Sequence, residues 1–133
     1  MPIISGQTYV IAEIGANHNG SVAEAKRLID AAKECGCDCV KFQSWTKDSI
    51  FSRQVYAENK FLGDDYRNRT DHTLESIVDA YSLSEGQLRE LHGYCAQVGI
   101  DFASTPFCKR EGDFLCELGV PFIKVASMDL NNL

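Results

Sequence analysis

Residues 12–21 read AEIGANHNGS, an apolar strand that closes on a carboxylate and leads directly into the start of a capped helix. Alternation through residues 8–14 sets Ile11 and Glu13 on one face and Val10, Ala12 and Ile14 on the other. Glu13 is thereby an acid held at a strand tip. Ser21, followed three residues later by Glu24, is a capping box, and Val22, Ala25, Leu28, Ile29 and Ala32 form one apolar stripe at helical spacing. A helix is expected from Ser21 to about Cys35, with Gly36 as its left-handed stop.

The same grammar recurs along the chain. VKFQ (40–43), FASTPF (102–107) and IKVAS (123–127) are short apolar strands that deliver polar groups at their C-terminal ends. The strands are expected at 39–43, 100–104 and 122–126, with Pro106 opposing any continuation as sheet or helix. Helices are expected at 73–81, at 84–98 (capping box Ser84 and Gln87, stop Gly99) and at 109–118 (stop Gly119). Strand, helix, strand with short joints is a crossover between parallel strands. Only 44–71 breaks the rhythm. This long, charged segment reads as an elaborated loop at the ligand face with a helical turn near 55–61, serving as a lid, an oligomer contact or a mobile insertion.

Four β/α steps with the fourth helix missing make an α/β chain of the kind that forms the N-terminal half of a TIM (β/α)8 barrel. Four parallel strands do not close a barrel, so the chain is expected to be incomplete or to pair with another half. Its 133 residues suit a single domain. A net charge of −6, with no basic cluster carrying interleaved aromatics, speaks against a nucleic-acid surface. No signal segment and no apolar run of membrane-spanning length are present, which points to a soluble cytoplasmic protein. The six cysteines are expected mostly as small, buried, reduced residues, because CGCDC (35–39) crosses a helix end into a strand and lacks zinc-site spacing.

In an open parallel sheet or barrel, ligands gather at the C-terminal strand ends. Lys41 and Lys124 sit inside apolar strands there, where an ammonium is costly without an anion. Two such lysines repel each other until an anion arrives. A phosphate, or a ligand carrying phosphate and carboxylate, satisfies both, and Ser104, Thr105 and Ser127 can add neutral hydrogen bonds. Each lysine can instead snorkel with its head in water, or form a Schiff base. Glu13 can equally form an internal ion pair with Lys41. Asn17 and His18 are either ligands or loop residues that order Glu13, and no role is assigned to His72 or His92.

AEIGANHNGS with VKFQ, then STPF, then ELGVPFIKVASMDLNN, resembles the N-terminal half of the sialic acid synthase family, which includes N-acetylneuraminate, legionaminate and pseudaminate synthases. The resemblance covers nearly the whole chain and is weakest over 44–82. It implies a TIM barrel followed by an antifreeze-like domain, neither completed within these residues, and a cytoplasmic homodimer. It implies condensation of phosphoenolpyruvate with an N-acylated hexosamine such as N-acetylmannosamine to a nine-carbon 2-ulosonic acid plus phosphate. A divalent metal, manganese or magnesium, would polarise the sugar aldehyde, its ligands lying outside this chain. Residue by residue, Lys41, Thr105, Lys124 and Ser127 match family positions that hold phosphoenolpyruvate. Gln43 matches one facing sugar and metal, and Glu13 matches the catalytic carboxylate. The metal-binding histidines and a sugar-reaching arginine have no counterparts here, so the isolated chain is expected to be inactive. The rival readings are another phosphoenolpyruvate-aldehyde condensing barrel and a non-catalytic half-barrel that binds an anion or a partner.

Overall fold

A computed structural model describes residues 6–132. The chain runs β1 (Ile11–Gly15), α1 (Val22–Glu34), β2 (Cys39–Ser44), α2 (Lys47–Ile50), α3 (Arg53–Glu58), β3 (Lys60–Phe61), β4 (Asp64–Asp65), α4 (Leu74–Ala80), α5 (Glu85–Val98), β5 (Asp101–Pro106) and α6 (Lys109–Leu118), then a 3₁₀ turn at Ser127–Asp129. β1, β2 and β5 form a parallel sheet in that order. Period-two alternation gives the sheet two different faces. Ile14, Val40, Phe42 and Phe102 turn to the helices and pack with Ala25, Ile29, Leu88, Leu91, Phe114 and Leu115 in the main core. The other face is polar at its C-terminal end, where Glu13 lies opposite Lys41 and Gln43 opposite Thr105.

The helices obey their local signals. Ser21 Oγ accepts from the Glu24 amide, although Glu24 pairs with Arg27 instead of reciprocating. Ser84 and Gln87 cap each other in full. Gly99 and Gly119 take left-handed conformations at the ends of α5 and α6, which a side chain disfavours.

The expected fourth strand, 122–126, is reduced to a single parallel bridge between Ser104 and Ile123, with the Lys124 amide 3.5 Å from the Ser104 carbonyl. Pro121 offers no amide, and among the described residues no strand lies on the far side to complete a second ladder. The chain then tightens into the 3₁₀ turn. β1 begins three residues later than expected: the Val10 amide donates to the Asp38 carboxylate at 2.8 Å instead of to a strand partner.

The segment after β2 is also more structured than its charge suggests. Besides α2, α3 and the β3–β4 hairpin, it builds a second core of Trp45, Leu74 and Val78 with Phe51, Tyr56, Tyr66 and Phe107 packed around it. The Trp45 indole donates to the Val78 carbonyl at 3.1 Å, and Asn59, in a left-handed conformation, accepts from the Leu74 amide at 2.8 Å. Burial of one tryptophan thus ties the insertion to the end of β2. All six cysteines are free, but only Cys39 and Cys95 are buried. Cys35, Cys108 and Cys116 are exposed because they occupy helix ends and an outer helix face. Burial pushes the Cys39 thiol up to about 11 and the Cys95 thiol up to about 12.

Candidate active site at the strand ends

Glu13 owes its position to a β-bulge. The register slips between Glu13 and Gly15, and Gly15 adopts φ +54°. A Cβ on Gly15 would lie 3.2 Å from Glu13 Oε1 and 3.4 Å from Gln43 Nε2, so the bare glycine leaves the carboxylate its room. Glu13 divides its two oxygens. Oε2 pairs with the Lys41 ammonium, and Oε1 accepts from Gln43 Nε2 at 3.3 Å. Lys41, with a side chain 13% exposed, also reaches Thr105 Oγ1 at 3.5 Å. The internal pair anticipated for Glu13 is therefore present.

These groups line an open hollow of about 530 Å³ together with Phe107, Lys124, Ala126, Ser127 and Met128. Lys124 makes no ion pair among the described residues. Two ammonium groups face one carboxylate, so the hollow carries a net positive charge. It offers two cations and two hydroxyls, those of Thr105 and Ser127, to an incoming anion.

The structure brings together Glu13, Lys41, Gln43, Thr105, Lys124 and Ser127, and separates Ser104 from them. Ser104 falls in the opposite phase of β5, fully buried, with its hydroxyl 2.7 Å from that of Ser44. Its expected contact with a ligand is corrected by strand alternation: of Ser104 and Thr105 only one can face the hollow. Phe107 and Met128 line the site without having been anticipated. Phe107 was legible in principle, two residues beyond Thr105.

His18 is 1% exposed, packs against Phe42 and accepts the Gly20 amide on Nδ1 at 2.9 Å. Burial holds its pKa below the ordinary imidazole value, partly opposed by a hydrogen bond to the Gly15 backbone. It braces the β1–α1 loop from within and reaches no ligand space. Asn17 Nδ2 donates to the Ile14 carbonyl at 2.9 Å, which also serves the loop. Among the described residues no group of three or more His, Cys, Asp or Glu side chains is arranged to hold a metal ion.

A family model described as the NeuB family matches residues 28–133. The chain belongs to the NeuB family. It is 40% identical to the N-acetylneuraminate-9-phosphate synthase of Homo sapiens over 93% of this chain and 33% of that protein. It is 35% identical to the N,N'-diacetyllegionaminic acid synthase of Legionella pneumophila over 94% of this chain and 34% of that protein. The chain spans about a third of the length of the curated relatives it matches.

Among solved structures, an N-acetylneuraminic acid synthetase from Leptospira borgpetersenii superposes with a TM-score of 0.76 at 25% identity, covering 99% of this chain and 43% of that one. The spore coat polysaccharide biosynthesis protein SpsE of Bacillus subtilis superposes with a TM-score of 0.64 at 29% identity, covering 96% of this chain and 32% of that one. The three-stranded parallel sheet and its helices are thus the half-barrel of this NeuB family fold. No helix of the described residues is long and apolar enough to cross a membrane.

Proposed function

We propose that this chain carries the phosphoenolpyruvate-binding half of a sialic acid synthase-type transferase, which joins phosphoenolpyruvate to an N-acylated hexosamine. The observation that carries the reading is the convergence of Lys41, Lys124, Thr105 and Ser127 with Glu13 and Gln43 at one set of strand ends. Phosphoenolpyruvate presents a phosphate and a carboxylate on a three-carbon frame, and two ammonium groups plus two hydroxyls match those two anions. In this structure Glu13 neutralises Lys41. An arriving anion takes Glu13's place on the ammonium, and the carboxylate is released towards the reacting carbon.

The electron flow follows from the substrate. C3 of phosphoenolpyruvate attacks the aldehyde carbon of the open-chain sugar and forms the new C–C bond while the C=O π pair moves onto the aldehyde oxygen, which takes up the proton that the added water gives up, leaving C2 cationic. Glu13 stabilises that cation or orients the water that adds to C2. Phosphate then departs by C–O cleavage and C2 becomes the ketone of a nine-carbon 2-ulosonic acid. Because C6 of the hexosamine becomes C9 of the product, a 9-phosphate product of the kind named for the human relative requires a 6-phosphorylated acceptor. N-acetylmannosamine and its 6-phosphate are therefore both acceptors to test.

The same proposal assigns the remaining barrel units, an antifreeze-like domain and the ligands of a manganese or magnesium ion to residues outside these 133, and takes the full-length protein as a cytoplasmic homodimer; the isolated chain turns over no substrate. The test is phosphate release from phosphoenolpyruvate by the protein carried to its natural stop codon, with manganese and either acceptor. Acceptor-dependent release that Lys124→Ala abolishes supports the reading. Absence of release with any N-acylated amino sugar returns the hollow to an anion site without an assigned reaction.

A further inference from the structure

His18 is a buried titratable side chain that the proposed chemistry leaves without a part. The loop around it turns on its own backbone: the Asn17, Asn19 and Ser21 amides donate to the Ile14, Ala16 and His18 carbonyls at 3.0, 3.0 and 2.9 Å. Those turns do not need the imidazole, so its own two bonds call for a separate account. Nδ1 accepts the Gly20 amide at 2.9 Å, and burial keeps the ring neutral, which places its proton on Nε2. The other bond, to the Gly15 backbone, favours a protonated ring, so the ring donates and the Gly15 carbonyl accepts. With Nδ1 taken, that donor is Nε2–H.

The two ends of this clamp differ. Gly20 is fixed, because a Cβ there would lie 2.1 Å from the Ala80 carbonyl oxygen and the loop is therefore seated directly on the end of α4. The imidazole rests on Phe42, with ring centroids 6.0 Å apart, and Phe42 stacks on Phe102 at 5.2 Å. Gly15 is the yielding end. It is the bulge residue at φ +54°, and a Cβ on it would stand 3.2 Å from Glu13 Oε1 and 3.4 Å from Gln43 Nε2. The Gly15 backbone thus lies against the carboxylate, and its position sets where Glu13 points.

The clamp matters most once an anion is bound. Glu13 is held by Lys41 on one oxygen and by Gln43, at 3.3 Å, on the other. An anion that takes Lys41 leaves Glu13 only the longer Gln43 contact and the backbone beneath it. We propose that His18 is a positioning residue for Glu13: its Nε2–H anchors the Gly15 bulge to the loop seated on α4, and so keeps the carboxylate aimed after Lys41 has passed to the anion. This role presupposes the transferase reading of the hollow, in which Glu13 acts at C2.

Three variants separate the two bonds. His18→Gln carries an amide donor about as far out as Nε2, His18→Met fills the same space without a donor, and His18→Asn keeps an acceptor for the Gly20 amide but stops short of Gly15. The assay is acceptor-dependent phosphate release by the protein carried to its natural stop codon, each variant's folding being checked by a thermal melt. His18→Met and His18→Asn are expected to lose about tenfold or more in kcat with the KM for phosphoenolpyruvate unchanged, and His18→Gln to restore most of that loss. Crystal structures of all four proteins grown with inorganic phosphate give a readout that needs no turnover. The Glu13–Gln43 contact should persist in the unaltered protein and His18→Gln and be lost in His18→Met and His18→Asn. Equal kcat in all four proteins, a loss in His18→Gln as large as in His18→Met, a rise in KM in place of the fall in kcat, or a Glu13–Gln43 contact kept in His18→Met would overturn the proposal. Absence of release from the unaltered protein would overturn the transferase reading alone, and the crystal structures then decide whether His18 positions Glu13.

Discussion

Gly20→Ala is expected to destabilise the protein far more than Gly36→Ala, although both glycines flank α1 with nearly the same backbone. Gly20 has φ +76° and Gly36 has φ +80°. An alanine at either site meets the left-handed penalty of about 1–2 kcal/mol. Their surroundings differ. A Cβ at Gly36 has no heavy atom within 4 Å, whereas a Cβ at Gly20 would lie 2.1 Å from the Ala80 carbonyl oxygen at the end of α4. Ordinary contact between heavy atoms is about 3.5–4.0 Å, so either the β1–α1 loop or α4 must retreat by about 1 Å or more. Overpacking of that kind adds about 1–3 kcal/mol. The totals are about 1–2 kcal/mol for Gly36→Ala and about 2–5 kcal/mol for Gly20→Ala. At about 4 °C per kcal/mol for a chain of this size, Gly20→Ala should melt some 4–12 °C below Gly36→Ala. Urea and thermal denaturation followed by circular dichroism measure both. Equal losses would refute the close docking of the β1–α1 loop on the insertion.

Glu13→Gln should lower kcat for acceptor-dependent phosphate release by about 10²–10⁴-fold. The KM for phosphoenolpyruvate should not rise, because Lys41 loses the carboxylate that competes with the anion; a rise in KM with unchanged kcat would contradict the assigned role. His18 has a folded pKa below its unfolded value, so the unfolded chain binds the extra proton first as pH falls. The stability this group contributes is intact above about 6.5 and is lost as pH drops from there through the lower, folded pKa. Thermal melts between pH 7 and 5 should show that loss in the unaltered protein and a flatter profile in His18→Gln. A thiol-reactive dye should label Cys35, Cys108 and Cys116 quickly in the native protein and reach Cys39 and Cys95 only on unfolding; rapid native labelling of Cys95 would contradict its burial.

What could be read from residues alone was local and periodic. Glu13, Lys41 and Gln43 share a face because strands alternate, and the helices begin and end at signals carried within four residues. What escaped depended on partners distant in the chain. Ser104 and Thr105 are adjacent hydroxyls, and only the register against Lys41 and Gln43 decides which one meets the hollow. The insertion hid its order because its core hangs on Trp45, whose packing partners Leu74 and Val78 lie some thirty residues on. Residues 122–126 have a strand's composition, yet strand formation requires ladders that a single bridge to Ser104 does not supply. Glu111 reads as an ordinary first-turn acid, and only its burial reveals an oxygen without a donor.

In the proposed reading the strand-end hollow takes phosphoenolpyruvate through its two lysines. Calorimetric titration of phosphoenolpyruvate into the protein tests it most directly, with Lys41→Ala, Lys124→Ala and Ser104→Ala in parallel. Loss of one charge-assisted contact costs about 1.5–3 kcal/mol, so each lysine variant should bind roughly 10- to 100-fold more weakly, while Ser104→Ala, on the other face of β5, should keep the affinity. Equal affinity in the lysine variants, or a loss confined to Ser104→Ala, would contradict it.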